Sequence, residues 1–442
     1  MNLIRETVES YRELILEAER YIWANPETGY KEFKTSNYMA ENFRKLGYDI
    51  TLADGITGFY TVVDTGRAGP EILILAELDS VICPAHPESD KETGAVHSCG
   101  HNAQCAALLG VAAALKNEKI LESLCGKIRL CAVPAEELLE IEYRSELRRQ
   151  GKIKYFGGKS EFLSRGYFDG VDMAFMMHAS HHFATIPGAV GCIAKNVIYK
   201  GKAAHAGGAP WLGKNALYAA SCGLNAVNAI RETFKECDLI RVHPIITNGG
   251  SMVNAIPEEV RIESYVRGKT NAAIDEANEK VNRAFTGAAY SLGVNVEIID
   301  APGYSPLTND KNLLALAKEA LRLALPEEEL FEGTEFSTGS TDMGDLSMIM
   351  PVIHPYAGGS VGTSHGKDYY INEPEKATVK SAVWQVALLK MLLENGAERA
   401  KKIIDAFTPE FNSKEEFLAY QDSKWTSGDK IAYRESGAEI YK

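Results

Sequence analysis

The chain has 442 residues, too many for one ordinary hydrophobic core, so two domains or one large domain with an insertion are expected. Its composition, 45% hydrophobic and 24% charged, excludes disordered, collagen-like and coiled-coil proteins. The formal net charge of -13 at pH 7 argues against nucleic acid or an anionic membrane surface as a partner, because phosphate binding needs clustered cations.

The N-terminal sequence and the cysteines predict the compartment. The first 23 residues alternate charges where a signal peptide would need an apolar run, so export is not expected. No apolar run approaches the roughly 20 residues that span a bilayer. The eight cysteines are scattered through apolar segments, without the density of a disulfide framework. We therefore expect a soluble protein of the reducing cytoplasm.

In chain order, the elements predict an α/β fold with a mostly parallel sheet. Apolar residues at helical spacing predict helices over 3–24 and 34–47. Strand-like runs follow in GFYTVVDTG, EILILAEL and KIRLCAVPAEE, with the helix NAQCAALLGVAAALKN between the last two. Because ILILAEL and IRLCAV are continuously apolar, both faces of their strands should be covered, as in parallel sheets. Functional residues are then expected at strand ends.

From residue 189 the pattern changes to strand, helix, two strands, helix and strand. This βαββαβ order is that of a ferredoxin-like unit. We expect it to form an inserted domain at 189–302, within a domain made of 1–188 and 303–442. Two sequential domains with an appendage are the alternative. The polar segment 400–442 lacks a clear core pattern and is expected to be a C-terminal extension.

The stretch AVHSCGHNAQCAALLG, residues 95–110, places Cys99 and His101 on either side of Gly100, just before a predicted helix. Asn102 can cap that helix, and the helix dipole would favour a thiolate at Cys99. The pair can bind a metal ion, serve as nucleophile and base, or be two buried structural residues. The nucleophile is the least favoured of the three, because such partners usually come from separate segments.

Further candidates lie at the ends of other apolar runs. Glu136 and Glu137 follow a predicted strand, so one carboxylate can bind a metal ion while the other moves a proton. A solvated acidic loop is the alternative. His178 ends GVDMAFMMH, although one of the two histidines just after it can replace it, and His365 lies in a glycine-rich loop. Cysteine, histidine and carboxylate together are a normal ligand set for zinc or a related ion.

The inserted domain offers three more candidates. His205 lies among small residues in GKAAHAGGAP, where a ligand can approach. Asn254 and Arg267 can hold a substrate carboxylate, although a turn amide and a surface charge are the alternatives. Outside that domain, the charged segment 140–162 is expected to be a surface excursion.

In their order along the chain, eight motifs resemble the binuclear metallo-amidohydrolases related to hippurate hydrolase, indole-acetyl-amino-acid hydrolase and aminobenzoyl-glutamate hydrolase. They cover roughly residues 10–395 and are AELDSV, HSCGHNAQCAALLG, PAEE, MMH, GKAAHAGGAP, VNAIPEEVRIESYVRG, GSTDMGDLSMIMPVIHPYAGG and TSHGKDYY. Residues 339–356 look most like the branch that holds aminobenzoyl-glutamate hydrolase and the dipeptidases that cleave after a basic or β-alanyl partner.

The resemblance implies a metal-dependent hydrolase of the amide bond in an N-acyl amino acid, an aminobenzoyl-glutamate-like conjugate or a dipeptide. Glu136 matches the general base. His205 matches a residue that reaches into the partner subunit's active site, which makes the inserted domain a lid and the protein a homodimer. The family binds two divalent metal ions, zinc or manganese with cobalt or nickel as alternatives, through residues that match Cys99, His101, Glu137, His178 and His365.

Three departures from the family pattern concern this site. Asp79 matches an aspartate near the metal ions, but Glu77 stands where the wider family has histidine, so we expect Asp79 to support the ligands. Asn102 stands where many relatives have aspartate, and the insertion after Glu137 is longer than in simple members. A homologue that binds without turnover, a thiol hydrolase using Cys99, and a subunit that needs a partner are the alternative functions.

Overall fold

The computed structural model describes residues 1–434 and 437–441, and the chain divides into two compact units. The first unit comprises Met1–Gly188, Leu307–Phe336 and Thr341–Lys414. The second comprises Ala189–Pro306, Ser337–Ser340 and Glu415–Lys442. The second unit therefore interrupts the first along the chain.

A six-stranded mixed sheet forms the centre of the first unit. In spatial order its strands are Thr51–Leu52, Phe59–Asp64, Lys127–Val133, Glu71–Glu77, Met173–Phe175 and Val352–Ile353. The last four are parallel, with Ile74 opposite Leu130 on one side and Phe175 on the other. The first strand pairs antiparallel with the second, and the second pairs antiparallel with the third. The predicted α/β fold with a parallel sheet is confirmed, and Glu71–Glu77 is buried along its whole length.

Helices cover this sheet, and shorter strands extend from it. A second sheet has the order Leu330–Glu332, Phe183–Thr185, Tyr356–Ala357 and His178–Ala179. Two small hairpins pair Val81–Ile82 with Ala95–Val96 and Ser360–Val361 with Tyr370–Ile371. The helices are Asn2–Ser10, Arg12–Trp23, Phe33–Lys45, His101–Ala114, Glu118–Leu121, Ile141–Arg149, Gly158–Ser164, Lys311–Ala324, Met343–Ser347, Ser381–Leu393 and Glu398–Ala406.

The helix His101–Ala114 runs through the core of the first unit. All 14 of its residues are buried, as expected for a helix that is apolar on every side. A Cβ atom at Gly110 would lie 2.7 Å from Ile15 and 2.9 Å from Ala382, so neighbouring helices pack directly on its backbone. This buried helix carries His101 at its N-terminal end, and Cys99 lies two residues before it.

The second unit is an antiparallel sheet with two long helices. In spatial order its strands are Arg241–Val242, Glu259–Gly268, Gly191–Lys200, Asn295–Tyr304 and Thr426–Asp429, and Ile245–Asn248 also pairs with the second of them. Burial alternates along Glu259–Gly268, so one face of the sheet is covered. The apolar side chains of that face form one core with those of the helices Ala216–Ala229 and Asn271–Ser291.

The C-terminal segment corrects the predicted domain boundary. Residues 400–442 were expected to extend the first domain, but Glu415–Lys442 belongs to the second unit. The helix Lys414–Ser423 leads to Thr426–Asp429, which adds to the sheet beside Asn295–Tyr304, and Ile431 joins its core. An added edge strand is held by backbone hydrogen bonds, which leave little hydrophobic pattern in the sequence.

In the part of the chain that the structure describes, no helix combines the length and the apolar character needed to cross a bilayer.

Candidate metal centre

The first two site residues flank a glycine at the start of the central helix. Gly100 has φ of 91°, in the left-handed region, and a Cβ atom there would lie 2.4 Å from the Tyr369 hydroxyl. Only glycine fits this turn without displacing Tyr369. The turn buries both Cys99 and His101.

Asn102, expected to cap the helix, has a different partner. The N-cap residue is Gly100, so Asn102 falls at the second helical position and its side chain points inward. Its amide nitrogen donates to Glu19 Oε1 at 2.8 Å, and both residues are buried. The prediction of a capping asparagine is therefore wrong, because the left-handed glycine shifts the helix start by two residues.

The His101 ring is held so that one nitrogen is left for a ligand. Its Nδ1 atom lies 2.9 Å from the backbone oxygen of Asp79, which can only accept, so Nδ1 donates. In the neutral ring the other nitrogen, Nε2, then carries a lone pair, and it has no hydrogen-bond partner among the described residues. An imidazole fixed in this way by a carbonyl is typical of metal-binding histidines.

His178 shows the same arrangement next to Cys99. Its Nδ1 atom lies 2.7 Å from the Ala179 oxygen, and its Nε2 atom lies 3.3 Å from Cys99 Sγ. The two alternative histidines, His181 and His182, are exposed, and His181 contacts the oxygen of Gly362 instead. The structure therefore brings His178, and not its neighbours, to the cysteine.

Glu137 and His365 complete a second group around the same sulfur. His365 Nε2 lies 3.0 Å from Glu137 Oε1, and the backbone N–H of His365 donates to the Ser98 oxygen at 2.8 Å. Ligand atoms within 4.8 Å of one another form three groups: Cys99, His101 and His178; Cys99, Glu137 and His365; and Glu77, His101 and Glu136. Cys99 belongs to the first two groups, so it joins them.

The loop that carries the two glutamates is held by buried carboxylates. Ala135 has φ of 58°, a conformation that costs a non-glycine residue about 1 to 3 kcal/mol. Its backbone N–H donates to Glu32 Oε1 at 2.8 Å, and the Glu137 N–H donates to Asp79 Oδ2 at 2.8 Å. These hydrogen bonds to buried carboxyl groups offset the strain and fix both glutamates at the strand end.

The insertion after Glu137 is built into the site. The predicted surface excursion over 140–162 contains Arg144 and Lys159, and both are buried. The Arg144 guanidinium donates to the backbone oxygen of Glu137 and, at 2.7 Å, to the backbone oxygen of Phe156. The surface prediction is therefore wrong for these residues, because Arg144 donates to backbone oxygens and Lys159 pairs with carboxylates inside the fold, which the charge pattern of the segment does not reveal.

Close opposite charges set the acid–base properties of the donors. Burial favours the neutral carboxyl of Glu137, but the neighbouring His365 outweighs it and lowers the Glu137 pKa to about 2. The same pairing raises the His365 pKa to about 11. Burial and Glu137 favour the neutral thiol of Cys99, yet His101 and His178 lower its pKa to about 6. The donors are thus thiolate and carboxylate, with imidazoliums as their counter-charges.

Glu136 differs from its neighbour in its electrostatic surroundings. Its Oε2 atom lies 3.9 Å from His101 Nε2, and the side chain is buried. Burial, together with the nearby charges of Glu77 and Glu137, raises the pKa of Glu136 well above its ordinary value. Two adjacent glutamates therefore have pKa values shifted in opposite directions, the pattern of a base beside a ligand.

The donor set fits divalent metal ions. Thiolate, imidazole and carboxylate converge here; Cys99, His101 and Glu137 are buried, His178 is partly buried, and the His365 side chain is 52% exposed. His101 Nε2 has no hydrogen-bond partner among the described residues. Such mixed nitrogen, sulfur and oxygen donors suit zinc and related ions. A divalent cation would neutralise the same charges that the imidazoliums balance here.

The remaining candidates lie in the second unit. His205 is exposed, and its Nδ1 atom accepts from the backbone N–H groups of Gly207 and Gly208 at 3.1 and 2.9 Å. Its Nε2 atom therefore carries the proton. Asn254 is exposed, and its backbone oxygen accepts from Ala206 at 2.9 Å.

Arg267 is half-buried on the strand Glu259–Gly268. Its Nη1 atom donates to the Ser340 hydroxyl at 2.6 Å, and its guanidinium lies 5.2 Å from the centre of the Tyr265 ring. Neither of these two partners carries a negative charge. This arrangement is compatible with an incoming anion.

Sequence reasoning missed the residues that support the donors. Glu32, far upstream, accepts from the Ala135 N–H, and Lys159 pairs with Glu77 and Asp342 in the interior. The glycine pair before Lys159 was a usable signal, because a Cβ atom at Gly158 would lie 1.7 Å from the Pro134 oxygen. This close backbone approach places Lys159 next to the glutamate loop, residues 134–137.

Comparison with known proteins identifies the family. The model of peptidase family M20/M25/M40 matches residues 73–390. Xaa-Arg dipeptidase of Mus musculus is 30% identical over 367 residues, which cover 79% of this chain and 78% of that protein. N-acetyl-L-cysteine deacetylase of Bacillus subtilis is 29% identical over 328 residues, covering 69% and 71%. A Bacillus subtilis crystal structure described as a dinuclear metal-binding peptidase of the M20 family superposes with a TM-score of 0.64 at 20% identity, covering 87% and 99%.

The fold and the donor cluster thus define a metal-binding hydrolase of amide or peptide bonds. The chain belongs to peptidase family M20/M25/M40, and the family resemblance drawn from the motifs is confirmed.

Proposed function

We propose that the protein cleaves the amide bond of a dipeptide or an N-acyl amino acid, with two divalent metal ions and Glu136 as the general base. The observation that carries this proposal is the convergence of four donors on the thiolate of Cys99, with Glu136 beside one of them, His101. Zinc or manganese is expected because the set mixes thiolate, imidazole and carboxylate. Two ions are expected because Cys99 joins two separate groups of donors.

The chain's own residues would perform the proton transfers. Bound at these donors, divalent ions supply a Lewis acid that polarises a carbonyl and lowers the pKa of water. Glu136, held by the strained loop next to the donors, takes a proton from the attacking water. It returns that proton to the leaving amine, since no nitrogen anion can leave at neutral pH. Asp79 keeps His101 and the Glu137 backbone in place meanwhile.

His205 is proposed to donate a hydrogen bond to the developing oxyanion in the partner subunit. The two glycine N–H groups fix its protonated nitrogen as Nε2, which is the free end of an exposed ring. A preorganised donor of this kind contributes about 3 to 4 kcal/mol in other hydrolases. The tautomer supports this role because the opposite one would present a lone pair to the oxyanion.

Exposed apolar side chains support a homodimer formed through the second unit. Trp211 is 77% exposed and Val253 is fully exposed, and their segments are adjacent because Ala216 N–H donates to the Pro257 oxygen at 3.1 Å. Isolated soluble units rarely leave so many large apolar groups in water. The others on these segments are Leu212, Tyr218, Ile245, Ile246 and Met252. The second unit would then be both lid and dimerisation domain.

The substrate class is inferred from the relatives and from two polar residues. A dipeptidase and an N-acyl amino acid deacetylase are among the similar proteins, and substrates of both kinds carry a free carboxylate. Arg267 and Asn254 are proposed to bind that carboxylate, because a guanidinium has five donors and the bond to Ser340 uses one. Dipeptides ending in a basic residue are the first substrates to try.

The test is amine release from a panel of dipeptides and N-acyl amino acids by the full chain. Activity should vanish with a chelator and return with Zn²⁺ or Mn²⁺, while alkylation of a metal-loaded sample has little effect. Glu136→Gln is the matched variant: it should lose about 10²- to 10⁴-fold in kcat and keep the wild-type metal content. Activity that survives complete metal removal, or a fully active Glu136→Gln, would disprove the proposal. No turnover with any metal would favour a partner-dependent subunit.

A further inference from the structure

Glu77 has two possible roles in the metal centre. Its carboxylate lies within 4.8 Å of the ligand atoms of His101 and Glu136, which makes the three a possible binding group. It also forms an ion pair with Lys159, whose Nζ atom lies 2.5 Å from Glu77 Oε1. If Glu77 binds the metal ion at His101, that ion has one more ligand than if Glu77 stays paired with Lys159.

Lys159 is positioned for this pairing by its own backbone. The close approach of Gly158 to Pro134 brings residue 159 under the glutamate loop, where its side chain is completely buried. Its ammonium also pairs with Asp342, and its backbone N–H donates to Asp342 Oδ2 at 2.9 Å. The lysine therefore sits between two carboxylates and has little freedom to leave either.

The second oxygen of Glu77 is occupied as well. Gln104 Nε2 donates to Oε2 at 3.0 Å, and His101 Nε2 lies 3.3 Å from the same oxygen. The Gln104 side chain also accepts from the Glu77 backbone N–H at 3.4 Å. Lysine and glutamine thus hold the carboxylate from both ends, and the whole cluster is buried.

We propose that Lys159 is a positioning residue that holds Glu77 out of the metal coordination, so that Cys99 and His178 complete the site at His101. This inference rests on the proposed metal centre and adds a residue to it. Lysine supplies a cation to Glu77 that a metal ion would otherwise supply, because a buried carboxylate requires a positive partner. Without Lys159, a metal ion bound at His101 would be close enough to take that place, because His101 Nε2 lies 3.3 Å from Glu77 Oε2.

The test uses cobalt as the probe, because Co²⁺ absorbs visible light strongly in four-coordinate sites and weakly when more ligands bind, while a thiolate ligand adds a near-ultraviolet band. The wild-type protein and four variants are loaded with Co²⁺ and their spectra compared. In Lys159→Met the visible absorbance should fall severalfold, with the thiolate band retained, because Glu77 joins the coordination. Removing both groups, in Lys159→Met with Glu77→Gln, should restore the wild-type spectrum.

Two single variants provide the controls. Glu77→Gln alone should bind the same number of Co²⁺ ions as the wild type with an unchanged spectrum, since Glu77 is not a ligand while Lys159 is present. Asp342→Asn should also leave the spectrum unchanged, because Lys159 keeps its bond to Glu77. If Lys159→Met does not fold, Glu77→Gln still tests the proposal, because an altered spectrum in this variant overturns it.

The outcomes separate this inference from the proposed function. A wild-type protein that takes up no cobalt, or shows no thiolate band, would disprove the metal centre itself. With the metal centre intact, loss of an ion or an altered spectrum in Glu77→Gln would show that Glu77 is a ligand and overturn the role of Lys159. A wild-type spectrum in a folded Lys159→Met would overturn it equally.

Discussion

The Nδ1 atom of His101 donates to the backbone oxygen of Asp79 at 2.9 Å, while Asp79 Oδ2 accepts from the Glu137 N–H at 2.8 Å. One residue at the end of the strand Glu71–Glu77 therefore orients both an imidazole donor and the loop that bears a carboxylate donor. The two groups of donors, one with His101 and one with Glu137, are therefore connected by Asp79 as well as by Cys99.

Removing the Asp79 side chain should weaken metal binding without unfolding the protein. In Asp79→Ala the Glu137 N–H loses its acceptor, so the glutamate loop loosens, while the bond from His101 to the backbone oxygen survives. Loss of a supporting partner typically weakens metal affinity by about 10- to 100-fold. Competition with a chelator measures that affinity, and the exposed Asp49→Ala is a matched control. Unchanged affinity in Asp79→Ala would show that the loop does not need this bond.

Much of the fold and the donor set was predictable because the relevant signals are local. Continuous apolar runs marked the buried strands Glu71–Glu77 and Lys127–Val133, and the polar residues at their ends are those of the site. Cys99 and His101 were marked by spacing, and the structure places Glu137, His178 and His365 beside them. Strand ends in one parallel sheet meet at one edge, so separate motifs could be combined.

The supporting residues were not predictable, because burial of a charge depends on partners distant in sequence. Lys159 pairs with Asp342 across 183 residues, and Glu32 reaches Ala135 across 103. A lysine in a charged segment is usually exposed, so the composition of residues 140–162 predicts that Lys159 lies on the surface. The tail was misassigned for a similar reason, since Thr426–Asp429 is held by backbone bonds that carry no hydrophobic pattern.

The buried Glu19 should make stability depend on pH. Burial raises the pKa of Glu19 to about 7, although Arg20 and the bond from Asn102 act in the other direction. Its folded pKa lies above the unfolded value of 4.5, so the folded state binds the extra proton and stability falls as pH rises through this interval. Between pH 5.5 and 8 the loss should be about 2 kcal/mol.

Glu19→Gln isolates that effect, because glutamine can still accept from Asn102 but does not titrate. Urea denaturation gives the unfolding free energy of both proteins at pH 5.5 and at pH 8. From pH 5.5 to pH 8 the variant should gain about 2 kcal/mol in unfolding free energy relative to the wild type. A difference that does not change with pH would mean that the carboxylate titrates normally.

A buried ion pair should control the stability of the second unit. The Lys195 ammonium pairs with Asp300, whose other oxygen accepts from Asn278 and Asn282 at 2.8 and 2.9 Å. Asp300→Asn leaves the lysine charge buried without an anion and should cost about 3 to 5 kcal/mol in unfolding free energy. Replacing both residues, as Lys195→Met with Asp300→Leu, should recover most of that loss. A single variant as stable as the wild type would contradict the pairing.

Complementation between two inactive variants should reveal whether His205 acts across a dimer. His205→Ala should lose about 10²- to 10³-fold in kcat, because the oxyanion loses one donor. Glu136→Gln should be inactive for a different reason, in the other unit of the same chain. If each active site combines Glu136 of one subunit with His205 of its partner, a mixed dimer contains one intact site.

Unfolding and refolding the two variants together in equal amounts should therefore restore about a quarter of the wild-type activity, since half of the dimers are mixed and each has one working site of two. Each variant treated alone is the control and should stay inactive. Mixtures that gain no activity, although mixed dimers are detected by a size tag on one chain, would show that His205 serves its own subunit or has no catalytic part.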